Sequence, residues 1–289
     1  MTDRPETTTV TPQLLRDWAL PDPGGGKESR GTVLVVGGSR FTPGAVLLSG
    51  VAALRAGAGR LQLATTEGTA TALSIAVPEA AVVGLPETDG GSVRGEVPDS
   101  LLEMASETDV LVVGPGLDDI DETGELMRRV LGAAGERTRV VLDAYALGAL
   151  SHDRSLVDDV RGRTVTTPNI TEVSRMLDRE AGDDLRAAAL DAAHAYGVVV
   201  SVYGHVASPD GRTWREESAD VGLGTSGSGD VSAGVVAGLL ARGADPEQAA
   251  CWGAYVHAVS GQRLVQRFGR VGFLARELVD EVAATIAMV

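Results

Sequence analysis

The feature that most limits what this chain can become is a recurrence of short, unbroken apolar runs, each leading into a turn and then a helix-like stretch. Thr32-Val-Leu-Val-Val36 ends at Gly37-Gly38, Val110-Leu-Val-Val113 at Gly114-Pro-Gly116, and Arg139-Val-Val-Leu at Asp143. Leu61-Gln-Leu-Ala64, Ala80-Ala-Val-Val83, Thr164-Val-Thr-Thr167 and Gly197-Val-Val-Val-Ser-Val202 continue the series. A run that is apolar at odd and even positions alike suits a strand buried on both pleat faces. Helices are expected over 44–56, closed by Gly57-Ala-Gly59, and over 69–77, 101–105, 122–134, 144–150 and 184–195. Strand, loop and helix in this rhythm predict an α/β fold, a mostly parallel central sheet with helices on both faces.

Residues 1–30, with a short helix over 13–18 and the link Pro21-Asp-Pro-Gly-Gly-Gly26, read as an N-terminal arm, and 31–289 as a single α/β domain. Beyond the turn at Ser208-Pro-Asp-Gly211 the pattern reads as helical. Asp245, Pro246 and Gln248 suggest a capping box with proline at the first helical position.

Composition removes several classes of function. Hydrophobic residues make up 44% but aromatics only 3%, so the core must be aliphatic. A formal charge of −15 disfavours nucleic acid and anionic membrane, which demand clustered basic residues. The single cysteine, Cys251, excludes a disulfide framework and a cysteine metal site. Lys27, the only lysine, lies in the arm, which excludes a P-loop and a Schiff-base enzyme. The N-terminus lacks the basic and apolar regions of a signal peptide, and no apolar run nears the roughly 18 residues of a membrane span, so a cytoplasmic protein is expected. His152, His194 and His205 show no metal-like spacing, and His257, on an apolar helix, reads as a core or interface residue.

One late stretch, Gly222-Leu-Gly-Thr-Ser-Gly-Ser-Gly-Asp230, runs into the apolar Val231-Ser-Ala-Gly-Val. Its glycines permit left-handed backbone and close approach to a ligand, and the helix start that follows supplies unpaired amides and partial positive charge, an anion site. Gly222, Gly224 and Gly227 match the dinucleotide pattern G-x-G-x-x-G, but no buried strand precedes them, so the match is accidental. Asp230 stands at the mouth of this anion site, where a carboxylate repels phosphate unless it has chemistry to do. Its structural reading is an N-cap; four glycines in eight residues exceed what a cap needs.

In parallel sheets ligands bind beyond the carboxyl ends of the strands. Gly37-Gly-Ser39 with Gly44-Ala45, Gly114-Pro-Gly116, Asp143, and Asn169 with Glu172 all fall there, alongside the late glycine loop. Singly each has a structural reading: tight turns for the glycines, helix capping for Asp143, a capping box for Asn169 and Glu172. Aligned on one rim, they point to a site.

As an ordered set these stretches resemble the ribokinase-like superfamily and, within it, the nucleotide-dependent NAD(P)H-hydrate dehydratases. The resemblance covers about residues 27–261 and rests on Val33-Leu-Val-Val-Gly-Gly-Ser39, Gly44-Ala45, Ala52-Ala-Leu-Arg-Ala-Gly-Ala-Gly59, Gly114-Pro-Gly-Leu117, Leu142-Asp-Ala144 with Ala146-Leu147, Thr167-Pro168, Gly227-Ser-Gly-Asp-Val231 and Tyr255-Val-His257. It implies repair of hydrated NADH or NADPH: the ring hydroxyl is phosphorylated by ADP or ATP with Mg²⁺, and phosphate is then expelled. It further implies Asp230 as base, Ala45, Gly116, Asn169 and Asp230 at the substrate, and Gly227, Ser228 and Gly229 at the transferring phosphate. Glu172 would hold Mg²⁺ through water. A homo-oligomer, with a tetramer among the forms, is also implied.

Three motifs depart from the family pattern. Its Asp-Ala-Asp-Ala-Leu is here Asp143-Ala-Tyr-Ala-Leu147, and its Thr-Pro-His-x-Gly-Glu is Thr167-Pro-Asn-Ile-Thr-Glu172. Its nucleotide-holding Leu-Lys-Gly falls on Ser201-Val-Tyr-Gly204, which assigns Ser201 and Gly204 to the nucleotide and leaves charge neutralisation to Mg²⁺, amides, or Lys27 and an arginine. A small-molecule kinase of the same superfamily and a nucleotide-binding protein without turnover are the competing readings.

Overall fold

The computed structural model describes residues 7–22, 24–219 and 221–289; the first six residues of the expected arm and Pro23 within its link lie outside them, as does Asp220. A single ten-stranded sheet runs through the described residues. In chain order its strands are β1 (Thr7–Thr9), β2 (Thr32–Val36), β3 (Arg60–Thr66), β4 (Ala80–Leu85), β5 (Val110–Val113), β6 (Arg139–Leu142), β7 (Thr164–Thr166), β8 (Val199–Val202), β9 (His205–Ala207) and β10 (Thr213–Arg215). Their spatial order is β1-β10-β9-β8-β7-β6-β5-β2-β3-β4. Strands β2 to β8 run parallel and β9 alone runs against its neighbours. This is the mostly parallel α/β sheet expected, with more edge strands than the apolar runs disclosed. Thr213–Arg215 follows the turn at 208–211 as a strand, not as the helical pattern expected there, and β1 of the arm pairs with it in parallel, Thr8 opposite Trp214.

Eleven helices are described: α1 (Pro12–Asp17), α2 (Pro43–Ala56), α3 (Glu67–Ala76), α4 (Asp99–Glu107), α5 (Ile120–Ala133), α6 (Tyr145–His152), α7 (Ile170–Leu177), α8 (Leu185–Tyr196), α9 (Ser228–Ala241), α10 (Pro246–Phe268) and α11 (Ala275–Ile286). One face of the sheet packs under α2, α9, α10 and α11, with Val33, Val35, Val112 and Val141 meeting Val235, Leu239 and Val256. The other lies under α4 to α8, where Leu34, Val36, Leu111 and Leu142 meet Leu126, Leu147 and Ala192. The central strands β2, β5 and β6 thus feed a core through both pleat faces, which is why their sequences show no alternation.

Two details of packing place the site. Helix α9 lies directly on α2: a β-carbon on Gly234 would fall 2.1 Å from the Ser49 carbonyl oxygen, and one on Gly238 2.3 Å from that of Ala53. Glycines one turn apart let the two backbones touch. The arm is fastened as well. Gln248 Nε2 donates to the carbonyls of Trp18 (2.9 Å) and Ala19 (3.0 Å), and Trp252 Nε1 to Trp18 (3.0 Å). The capping box expected at 245–248 is therefore not formed: Asp245 makes no side-chain cap and Gln248 is spent on the arm.

Candidate active site

The order of the sheet reverses between β2 and β5, and the loops leaving these two strands form the floor of a cleft at its carboxyl edge. They interlock through glycine. Gly38 N–H donates to the Pro115 carbonyl at 2.7 Å, and Thr42 Oγ1 to that of Gly116 at 2.6 Å. Gly116 has φ +73°, and a β-carbon there would meet the Thr42 carbonyl oxygen at 2.6 Å and Ala45 Cβ at 2.9 Å. Ala45, in the first turn of α2, and Gly116, the two residues expected at the substrate, are thus brought together.

The next two strands add the acids. Asp143 follows β6 directly and is almost wholly buried, its Oδ1 accepting from Thr167 Oγ1 at 2.8 Å. It does not cap α6, whose cap is Ala144 at φ +50°, a left-handed conformation that a non-glycine residue seldom takes. Asn169 and Glu172 form the reciprocal capping box of α7: Glu172 N–H donates to Asn169 Oδ1 at 2.9 Å and Asn169 N–H to Glu172 Oε2 at 2.8 Å. This structural role occupies one oxygen of each side chain and leaves the Asn169 amide nitrogen and Glu172 Oε1 uncommitted.

Asp230 comes from across the cleft. The cap of α9 is Gly227, at φ +85°, and Asp230 sits three residues further on without bonding the helix's first amides. The N-cap reading of Asp230 is therefore excluded. Of the three amides expected to hold phosphate, that of Ser228 is taken by the Thr225 carbonyl at 3.2 Å. Those of Gly227 and Gly229 have no backbone partner among the described residues, and neither has that of Asp230. No atom lies within 4 Å of a β-carbon placed on Gly229, so the turn is open above it.

The electrostatics tie these loops into one site. Burial, reinforced by the Glu172 carboxylate, pushes the Asp230 carboxyl up to about 6. Burial, with Asp230 and then Glu172 adding repulsion, pushes Asp143 up to about 8, against the Thr167 hydrogen bond. Glu172 is itself raised by burial. Three carboxyls from β6, α7 and α9 therefore sense one another. At neutral pH Asp143 keeps its proton while Asp230 is ionised, the division expected of one acid and one base in a shared cleft.

Ser201 and Gly204 lie at the same edge further along the sheet, Ser201 in β8 opposite Val206 and Gly204 in the two-residue turn to β9. The link to the glycine loop runs through Glu216, whose N–H donates to the Gly204 carbonyl at 2.8 Å before the chain enters that loop. Arg215 spans the turn, its Nη1 donating to the Tyr203 carbonyl at 2.7 Å. Lys27 is at the wrong edge. It lines a cavity with Thr32, Arg60 and Glu79, at the amino ends of β2, β3 and β4, so it cannot serve this cleft. Sequence reasoning also missed the contact made by His257: it is half-buried and set against the glycine turn, 3.0 Å from the Ser228 carbonyl oxygen. Its spacing from Cys251 carried no signal of this, because the contact joins α10 to α9.

The sequence profile of the family described as NAD(P)H-hydrate dehydratase matches residues 33–284. An ADP-dependent (S)-NAD(P)H-hydrate dehydratase of Xanthomonas campestris is 45% identical over 289 residues, covering 96% of both chains. Bifunctional NAD(P)H-hydrate repair enzymes also match, and the chain spans about half of their length. In structure, the ADP/ATP-dependent NAD(P)H-hydrate dehydratase of Bacillus subtilis, crystallised with ATP and Mg²⁺, superposes with TM-score 0.79 at 25% identity over 98% of both chains. A ribokinase-like superfamily protein of Enterococcus faecalis gives TM-score 0.84 at 22% identity over 98% of this chain and 96% of its own, so the fold is the ribokinase-like one.

Proposed function

The chain belongs to the NAD(P)H-hydrate dehydratase family, and we propose that it restores hydrated NADH or NADPH by phosphorylating the ring hydroxyl with ADP or ATP and expelling the phosphate. The observation that carries this reading is Asp230: a carboxylate that caps nothing, enclosed beside free amides at a glycine-led helix start. A binding protein for phosphate would be better without it.

Asp230, ionised above about 6, takes the proton of the ring hydroxyl. The freed oxygen attacks the terminal phosphorus of the nucleotide, and the amides of Gly227, Gly229 and Asp230 stabilise the charge that spreads over the phosphoryl oxygens. AMP leaves when ADP is the donor. The ring nitrogen's electron pair then drives out phosphate, and loss of the neighbouring ring C–H proton restores the dihydronicotinamide. Ala45, Gly116 and the Asn169 amide wall the dinucleotide. Ser201, Gly204 and Ser228 lie along the donor, with Arg215 replacing the family's lysine as the charge beside that turn.

Among the described residues no three His, Cys, Asp or Glu side chains converge closely enough to hold a metal ion alone. That suits magnesium, which prefers water and nucleotide phosphates to an all-protein cage. It would supply charge neutralisation at the phosphates, with the uncommitted Glu172 Oε1 holding it through water. No described helix is long and apolar enough to cross a membrane. A cytoplasmic homo-oligomer is the proposed working form.

The test is the return of NADH absorbance from hydrated NADH with Mg²⁺ and ADP or ATP, with Asp230→Asn beside the wild type. Restored absorbance in the wild type alone is expected. An accumulating phospho-alcohol would assign a small-molecule kinase instead, and nucleotide binding without turnover a sensor.

A further inference from the structure

His257 takes no part in the reaction as described, yet it touches the phosphate-binding turn. Its Nε2 lies 3.0 Å from the Ser228 carbonyl oxygen and 3.1 Å from Ser228 Oγ. A carbonyl oxygen can only accept, so the first contact requires the hydrogen to sit on Nε2. Burial pushes the ring down to about 4, so at neutral pH that hydrogen is its only one, and Nδ1 carries none. The Nδ1–H form would set two lone pairs against each other. Once Nε2 is a donor, Ser228 Oγ faces a donor and cannot give its own proton to the ring. The hydroxyl must turn its O–H elsewhere. Ser228 is 4% exposed, and no other partner for Oγ is found among the described residues. Its chain neighbours on either side, Gly227 and Gly229, carry amides with no backbone partner among the described residues.

We infer that His257 is a positioning residue of the phosphate loop: by donating from Nε2 to Ser228 it obliges the Ser228 hydroxyl to donate toward the phosphoryl group of the nucleotide. The side chain of Ser228 thereby supplies a donor in place of the amide that Thr225 occupies. This rests on the placing of the nucleotide phosphate over residues 227–230, given above.

The test joins spectroscopy to kinetics. In ¹⁵N-histidine-labelled protein, with the His257 signals assigned by their loss in His257→Gln, Nε2 should be the protonated nitrogen of a neutral ring; an Nδ1-protonated ring would overturn the inference. Ser228→Ala and His257→Leu should each lower kcat by about tenfold or more, as for loss of a hydrogen bond to a charged group. The KM for the hydrated dinucleotide should hardly move. The double variant should be no slower than the worse single one, and His257→Gln, which keeps an N–H at the same reach, should recover most of the rate. Additive losses, or an unchanged kcat in His257→Leu, would overturn it. Should His257→Leu fail to fold, the tautomer and the His257→Gln rate decide. If the wild type binds ADP but restores no NADH, the dehydratase reading alone fails: an ADP affinity weakened equally by Ser228→Ala and His257→Leu would still support the inference, and an unchanged affinity would overturn it.

Discussion

Replacing Asp230 by asparagine should make the protein more stable while disabling it. The Asp230 carboxyl is raised from 3.8 to about 6, burial first and Glu172 second. A raised acid means that the folded state binds the proton more tightly than the unfolded chain, so folding loses stability as pH climbs from about 4 to about 6, and the loss is complete above that. Roughly two units at about 1.4 kcal/mol each set the penalty at about 3 kcal/mol at neutral pH. Asparagine removes the charge but keeps a polar amide in the same enclosed place, so about half of that, ~1.5 kcal/mol, should be gained. In a chain of this size that raises Tm by roughly 3–6 °C. Thermal melts of both proteins at about pH 7.5 and about pH 4 measure it, since the difference should shrink as the wild-type group takes up its proton. Over the same substitution the turnover should fall by about 10²–10⁴-fold, the worth of a positioned general base. A variant that melts below the wild type at the higher pH, or by the same margin at both, would refute the reasoning.

Other outcomes follow from the packing and from the charges. Ser49 Oγ is buried with no hydrogen-bond partner among the described residues, so Ser49→Ala should raise stability by about 1 kcal/mol, read by urea denaturation. Gly234→Val should force α9 off α2 and cost at least ~3 kcal/mol, with loss of activity because Asp230 rides on that helix. Arg215→Ala should raise the KM for ADP about tenfold, as for loss of a charged phosphate contact, while Lys27→Ala, at the opposite edge of the sheet, leaves it unchanged.

How much of this could be read from sequence depends on what each residue advertises. Strands β2, β5, β6 and β8 were legible because continuous β-branched runs have few other uses. Strands β9 and β10 were not: His205–Ala207 and Thr213–Arg215 are three residues each, held by hairpin pairing and not by a hydrophobic pattern. Thr7–Thr9 reads as a polar lead and is a strand only because β10 offers it an edge. Gln248 looked like a cap because its spacing from Asp245 suits one, and the arm claimed it through Trp18. The rim of the cleft was legible from glycines that close strands, and the structure gives their reason in the crowding of Gly116 against Thr42 and Ala45. The proton held by Asp143 and the grip of His257 on Ser228 arise from burial and from contacts 29 residues apart or more between elements, which no local spacing encodes.

The base proposed at Asp230 is poised near neutrality, and the pH dependence of kcat/KM for NADH restoration tests that role most directly. The rate should rise about tenfold per pH unit below about 6 and level off above it, as Asp230 gives up its proton, and the Asp230→Asn variant should lose that break along with nearly all of its rate. A profile that stays flat through this range in the wild type, or a break that survives in Asp230→Asn, would contradict it.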